Sequence, residues 1–182
     1  MKTCRFIITF IAMAISISSY ANEQQLAMGS AECASISSDK PFTLVLKKGS
    51  ILPDTIIDCV NKAKIQSAWI QAIGALKNVD LAYYNANRED FDHKLFNTEI
   101  YELVSFTGNI ALRDSKPFLH AHLILSDSNY NTLGGHHQRS EVGVTFEAMI
   151  APVDAHPVRY QIKPNNPLWL IRSPENSAND NR

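Results

Sequence analysis

Four of the six histidines in this chain fall in one stretch, Lys116 to His137, which reads KPFLHAHLILSDSNYNTLGGHH. Phe118, His120, His122 and Ile124 alternate with Leu119, Ala121, Leu123 and Leu125. That period predicts a β-strand from which His120 and His122 leave the same face, about 7 Å apart. The polar turn Ser126 to Asn131 then reverses the chain. Gly134-Gly135 delivers His136 and His137 to a returning strand that can lie alongside the first pair. Zinc accepts neutral imidazole nitrogens at about 2.0–2.1 Å, and three protein ligands leave a position open for water or substrate. The candidate ligands of a divalent metal are His120 and His122, with His136 able to join them only if the 126–135 hairpin closes in register. Zinc is the first choice, and iron, nickel and copper suit the same donors. The alternative is a set of polar side chains on a half-exposed sheet.

The elements that must position these residues follow from periodicity. PFTLVLKK, from Pro41, alternates and predicts a first strand ending at Gly49-Ser50. From Pro53, Asp54 and Thr55 the apolar positions become Ile56, Ile57, Val60 and Ala63, the spacing of one helix with a proline and an acid in its first turn. Ser67 to Leu76 and Val79 to Tyr84 read as two strands joined at Lys77-Asn78, with Gly74 marking a bulge or a close backbone approach. A charged excursion, Asn85 to Glu99, carries a short strand near Lys94 to Phe96. Ile100 to Leu112 reads as a strand interrupted at Gly108-Asn109, Glu141 to Ile150 as another, and Val158 to Ile162 as the last. Trp69, Tyr83 and Tyr84 are assigned to core packing. The fold class is α/β (α+β): a mixed, mostly antiparallel sheet with one or two packed helices.

Two acids lie inside apolar strands, Glu102 beside Tyr101 and Leu103, and Glu147 between Phe146 and Ala148. A lone buried carboxylate is costly, so each must point to solvent or meet a partner. Both are candidates for handling a proton beside the histidines, or for accepting an imidazole N–H.

Composition limits the partners. A chain of 182 residues that is 45% hydrophobic and 19% charged suits one domain with a sizeable core. Residues 1–21 read as a secretory signal: Lys2 and Arg5, then the apolar run Phe6 to Ile17, then Ser19-Tyr20-Ala21. An uncleaved anchor is the alternative. Cleavage takes away two basic residues and no acidic one, leaving 15 against 18 and a net charge of −3. With no basic run longer than Lys47-Lys48, a nucleic-acid backbone is a poor partner. Export implies a secreted or periplasmic protein in an oxidising compartment, where Cys33 and Cys59 are candidates for a disulfide, with two free thiols as the alternative. Residues 22–40 read as a flexible arm, 41–163 as the domain, and 164–182 as a partly disordered tail in which Leu168 to Ile171 can dock on the body.

The ordered blocks AIGALKNVDLAYYN, YELVSFTGNIAL, KPFLHAHLILSD, LGGHH and VTFEAMI resemble the bacterial and archaeal branch of the plants and prokaryotes conserved (PPC) domain, also called DUF296. The likeness runs from about Phe42 to Ile162. It implies a small α/β domain assembled as a homotrimer, and a metal site carried over onto His120, His122 and His136; His137 follows the motif without clearly belonging to it. Plant members join this domain to AT-hooks, whose Arg-Gly-Arg-Pro core is absent here, so the DNA-binding label does not transfer. Two functional classes remain: an exported trimeric ligand- or partner-binding module containing metal, and a metal-dependent hydrolase acting on a small substrate. No nucleophile elbow, phosphate loop or Cys-His pairing supports the second, and the first is favoured.

Overall fold

The computed structural model describes residues 39–172 together with Cys33 and Ile36. The chain divides into two compact units, 1–34 and 35–182. The readings of 1–21 as a signal and of most of 22–40 as an arm lie outside the described residues.

The second unit is a mixed, mostly antiparallel sheet with one short helix. Its strands are β1 (Phe42–Lys47), β2 (Ile51–Leu52), β3 (Ala68–Asn85), β4 (Asp90–Phe96), β5 (Tyr101–Arg113), β6 (Lys116–Ser126), β7 (Thr132–Pro152), β8 (Val158–Gln161) and β9 (Trp169–Arg172). β3 pairs with both β5 and β7, and β6 also pairs with both β5 and β7, so these four strands close a ring. β1 and β2 add to β7, and β4 adds to the far end of β3. β8 joins β5 in the one parallel pairing among the described residues, and β9 pairs with β8.

The single helix among the described residues, α1 (Asp54–Lys62), has an acid in its first turn and a base in its last, matching the helix dipole. Its Ile56, Cys59 and Val60 are buried, and it packs on β2 and β6. Cys33 and Cys59 are each disulfide-bonded. Inside the ring lie Phe106, Phe146, Ile70, Ile110, Leu125 and Ile150, all fully buried. The two phenylalanine rings meet edge-on at 5.3 Å, and each such burial contributes roughly 1.5–3 kcal/mol.

Several strand boundaries differ from the sequence reading. β3 is one strand and not two: Lys77-Asn78 is an irregularity where the register with β7 shifts and Asn78 takes φ 51°. Leu76 and Val79 are both fully buried on either side of it, so the chain bends without reversing. Gly74 does mark a bulge, and a Cβ there would sit 2.1 Å from the carbonyl oxygen of Thr145. β5 is not interrupted at Gly108-Asn109; its irregularity falls between Leu103 and Ser105. His136, His137 and the stretch Glu141 to Ile150 all belong to one 21-residue strand, β7.

Within the tail, Trp169–Arg172 forms a strand paired with β8, in the stretch where docking on the body was expected. Trp69 and Tyr83 are not core. They are 55% and 73% exposed, and Tyr84 is half-buried, because the inward positions beside them belong to Ala68, Ile70 and Ala82. Trp69 is joined on the outer surface by exposed Val45, Ile73, Val104, Ile124 and Met149.

Gly108 bears directly on the histidines. It pairs with Ala121, and a Cβ at 108 would lie 2.4 Å from the His120 carbonyl oxygen and 2.8 Å from the Ala121 Cβ. Backbone must move to admit it. Gly108→Ala is expected to destabilise the domain by about 1–3 kcal/mol in urea unfolding, the usual cost of overpacking; an unchanged midpoint would show that β5 and β6 separate freely.

Candidate metal centre and its cavity

His120 and His122 leave one face of β6, and His136 comes from β7. The register is specific: His122 lies directly opposite His136, while on the other side His120 faces Asn109 and His122 faces Thr107 of β5. Gly134 and Gly135 let β7 enter. A Cβ on Gly134 would meet the Leu123 carbonyl oxygen at 2.6 Å, and one on Gly135 would meet that of Ala82 at 3.2 Å.

The three imidazoles converge. Ring centroids are 5.2 Å apart for His120–His122, 4.8 Å for His120–His136 and 5.2 Å for His122–His136. One nitrogen from each lies within 4.8 Å of the others. A tetrahedral zinc centre separates its ligand nitrogens by about 3.3 Å, so small rotamer adjustments bring this set to coordinating distance. Phe91 of β4 stacks on His136, with centroids 5.3 Å apart and planes 23° from parallel, which fixes that ring.

Protonation would oppose a metal, and the surroundings suppress it. Burial, followed by the charges of His136, Arg159 and His122, pulls His120 down to about 4. Burial, followed by His122, Arg159 and His93, does the same to His136. Both are therefore neutral at pH 7, with lone pairs available.

His137 takes the opposite face, as strand alternation requires. It is buried, with Nε2 2.9 Å from Ser140 Oγ and its ring edge-on to Phe106 at 5.4 Å. It belongs to the core.

Neither candidate acid joins the histidines. Glu102 is exposed opposite Ser126, at the other end of the β5–β6 pairing from Asn109. Glu147 is exposed between Val45 and Ile73, 3.5 Å from the Thr145 hydroxyl. Each points to solvent, the bland outcome that alternation allowed.

The histidines form one wall of a cavity of about 840 Å³, opened between the β3–β4 arm and the β8–β9 hairpin. Its other walls include Phe91, Arg113, Phe118, Arg159 and Trp169, none of which sequence reasoning assigned to the site. Arg159 is 6% exposed. Its terminal nitrogens donate to the Trp169 carbonyl oxygen at 3.0 Å and to Asn109 Oδ1. The Arg113 guanidinium lies 4.5 Å from the Phe118 ring centre and 4.9 Å from that of Trp169. Arg113 and Phe118 belong to the ring strands β5 and β6, whereas Phe91, Arg159 and Trp169 come from segments whose pairing with the ring no local pattern announces.

Comparison with known proteins agrees with this architecture. A plant- and prokaryote-conserved protein from Pyrococcus horikoshii is 28% identical, with 75% of this chain and 95% of that chain covered at a TM-score of 0.66. A metal-containing protein from Archaeoglobus fulgidus is 29% identical, with 76% and 96% covered at 0.67. A Bacteroides thetaiotaomicron protein, named as a candidate DNA-binding protein, shares the fold at 22% identity, 73% and 92% coverage and a TM-score of 0.68. No curated protein matches the sequence. The family model for the Plants and Prokaryotes Conserved domain matches residues 34–154, and with that match spanning most of the ring and all three histidines, the chain belongs to this family.

Proposed function

We propose that this protein is an exported, trimeric binding module that holds a divalent metal, zinc by ligand type, through His120, His122 and His136. The observation that carries the reading is the convergence of three imidazoles within 4.8 Å at the wall of a cavity large enough for a small molecule. The metal-containing relative is consistent with it. Bound zinc supplies a Lewis acid with room for a further ligand. The chain's own part is to keep His120 and His136 unprotonated, to fix His136 against Phe91, and to screen the centre behind β8 and β9.

The hydrolase alternative needs a group to move protons, and Glu102 and Glu147 stand away from the cavity. Binding is the stronger reading. DNA binding is weaker still: the chain carries a formal charge of −1 and no AT-hook core. Assembly as a trimer is favoured by the exposed apolar set Val45, Trp69, Ile73 and Met149 on one sheet surface, where Val45 and Ile73 flank Glu147. Pairing of Cys33 with Cys59 belongs to the same proposal of an exported protein.

Protein recovered from periplasmic extract, with Asn22 at its N-terminus, is expected to carry about one zinc per chain by elemental analysis, and His120→Ala to carry almost none. Equal metal in both would refute the site. Light scattering is expected to give three times the chain mass, and to give it for His120→Ala as well; a monomeric wild type would remove the trimer.

The pH dependence of the metal-free protein has a definite sign. His120, His136 and His137 titrate at about 4 when folded, all three chiefly through burial, against about 6.5 unfolded. Unfolding between those values takes up protons. Stability is thus full above pH 6.5 and falls as pH drops toward 4. Urea midpoints of the metal-free protein should decline steadily from pH 7 to pH 4.5, and a flat profile would place these imidazoles in water.

A further inference from the structure

The cavity holds more positive charge than a three-histidine metal centre accounts for. Arg159 is almost wholly buried, and its hydrogen-bond acceptors among the described residues, the Trp169 carbonyl and the Asn109 side-chain oxygen, are both neutral. Its Nε is buried with no hydrogen-bond partner. Arg113 rests on the rings of Phe118 and Trp169. Among the described residues neither guanidinium has a carboxylate within ion-pair distance, although arginines 88 and 139 each have one. The one carboxylate in the cavity wall, Asp90, has Oδ1 accepting from the Phe91 backbone N–H at 2.8 Å and is paired with neither arginine. A buried guanidinium without an anion is costly, and it is commonly retained where an anion is to be bound.

The placement specifies where that anion sits. Asn109, which accepts from Arg159, is the cross-strand partner of His120. The guanidinium therefore stands beside the His120 end of the triad. Arg113 comes from the same strand as Asn109, at its C-terminal end. Phe118 lies near both cations, 4.5 Å from Arg113 and 5.5 Å from Arg159. Anion sites for long nucleic-acid backbones are extended basic surfaces, whereas this one is a pocket with aromatic walls.

We propose that the cavity is a receptor for a small organic carboxylate, with Arg113 and Arg159 holding its carboxylate beside the histidines and Phe91, Phe118 and Trp169 enclosing its apolar body. This deepens the reading of the cavity as the ligand site of a metal-binding module and rests on it. Guanidinium groups form charge-assisted, forked hydrogen bonds to carboxylates, which an amide of the same shape does not reproduce.

The test is calorimetric titration of zinc-loaded and zinc-free protein with lactate, 2-hydroxybutyrate and 3-phenyllactate, each beside its neutral amide. At least one acid is expected to bind tenfold or more tightly than its amide, with 3-phenyllactate the strongest. Arg113→Gln is expected to weaken that acid by about tenfold or more while zinc content and unfolding midpoint stay at wild-type values, and Arg113→Lys to recover part of the loss. Arg159→Met is expected to abolish the preference for acid over amide; if it fails to fold, the Arg113 variants decide the matter. Acids and amides binding alike, no acid binding in either form, or an unchanged acid affinity in Arg113→Gln would each overturn the proposal. Zinc content is measured separately, so a protein that binds the acids without zinc would refute the metal reading and leave the carboxylate site standing.

Discussion

The pairing of β6 with β7 is the constraint on which the candidate site depends. His122 opposite His136 is one rung of a short ladder that runs from there to Ser126 opposite Thr132. A slip by one residue would turn His136 inward and His137 outward, because side chains alternate faces. Several features resist such a slip. Gly134 admits the Leu123 carbonyl at a distance no side chain tolerates, and His137 fills a buried place against Phe106 with a partner in Ser140. The core histidine thereby fixes the orientation of its neighbour.

That register also explains the electrostatics. The histidine face of β6 and β7 is covered on one side by the β3–β4 arm, through Phe91 on His136, and on the other by β8 and β9, through Arg159 and Trp169. Partial burial pulls His120 and His136 toward the neutral form, and the nearby guanidinium pulls them further. A site that keeps His120 and His136 neutral is suited to a cation, and its two arginines, without an ion pair among the described residues, are suited to an anion. Metal and carboxylate are thus compatible occupants of one cavity.

Much of this was legible in the sequence, for a physical reason. The alternation around His120 and His122 is a property of the strand itself, and Gly134-Gly135 directly before His136 marks the segment that returns to them. Gly74 announced its bulge in the same way. What could not be read were features set by distant pairing. Lys77-Asn78 looks like a turn, yet Lys77 and Asp80 are held to the same neighbouring strand on either side of it, opposite Glu141 and Arg139. Gly108 looked like a break and is a contact point for His120. Trp69 and Tyr83 have the composition of core residues, but alternation assigns them to the outer face. Arg159 lies 39 positions after His120 in the chain. Only the parallel attachment of β8 to β5 brings it to the histidines, and no short motif records that.

The most direct test of the central claim is imidazole ¹⁵N NMR of the metal-free protein as one equivalent of zinc is added. The convergent triad predicts that His120, His122 and His136 move together to metal-bound shifts while His93, His137 and His156 stay where they were. Zinc-induced shifts confined to one or two of the three, or shared with His137, would contradict it.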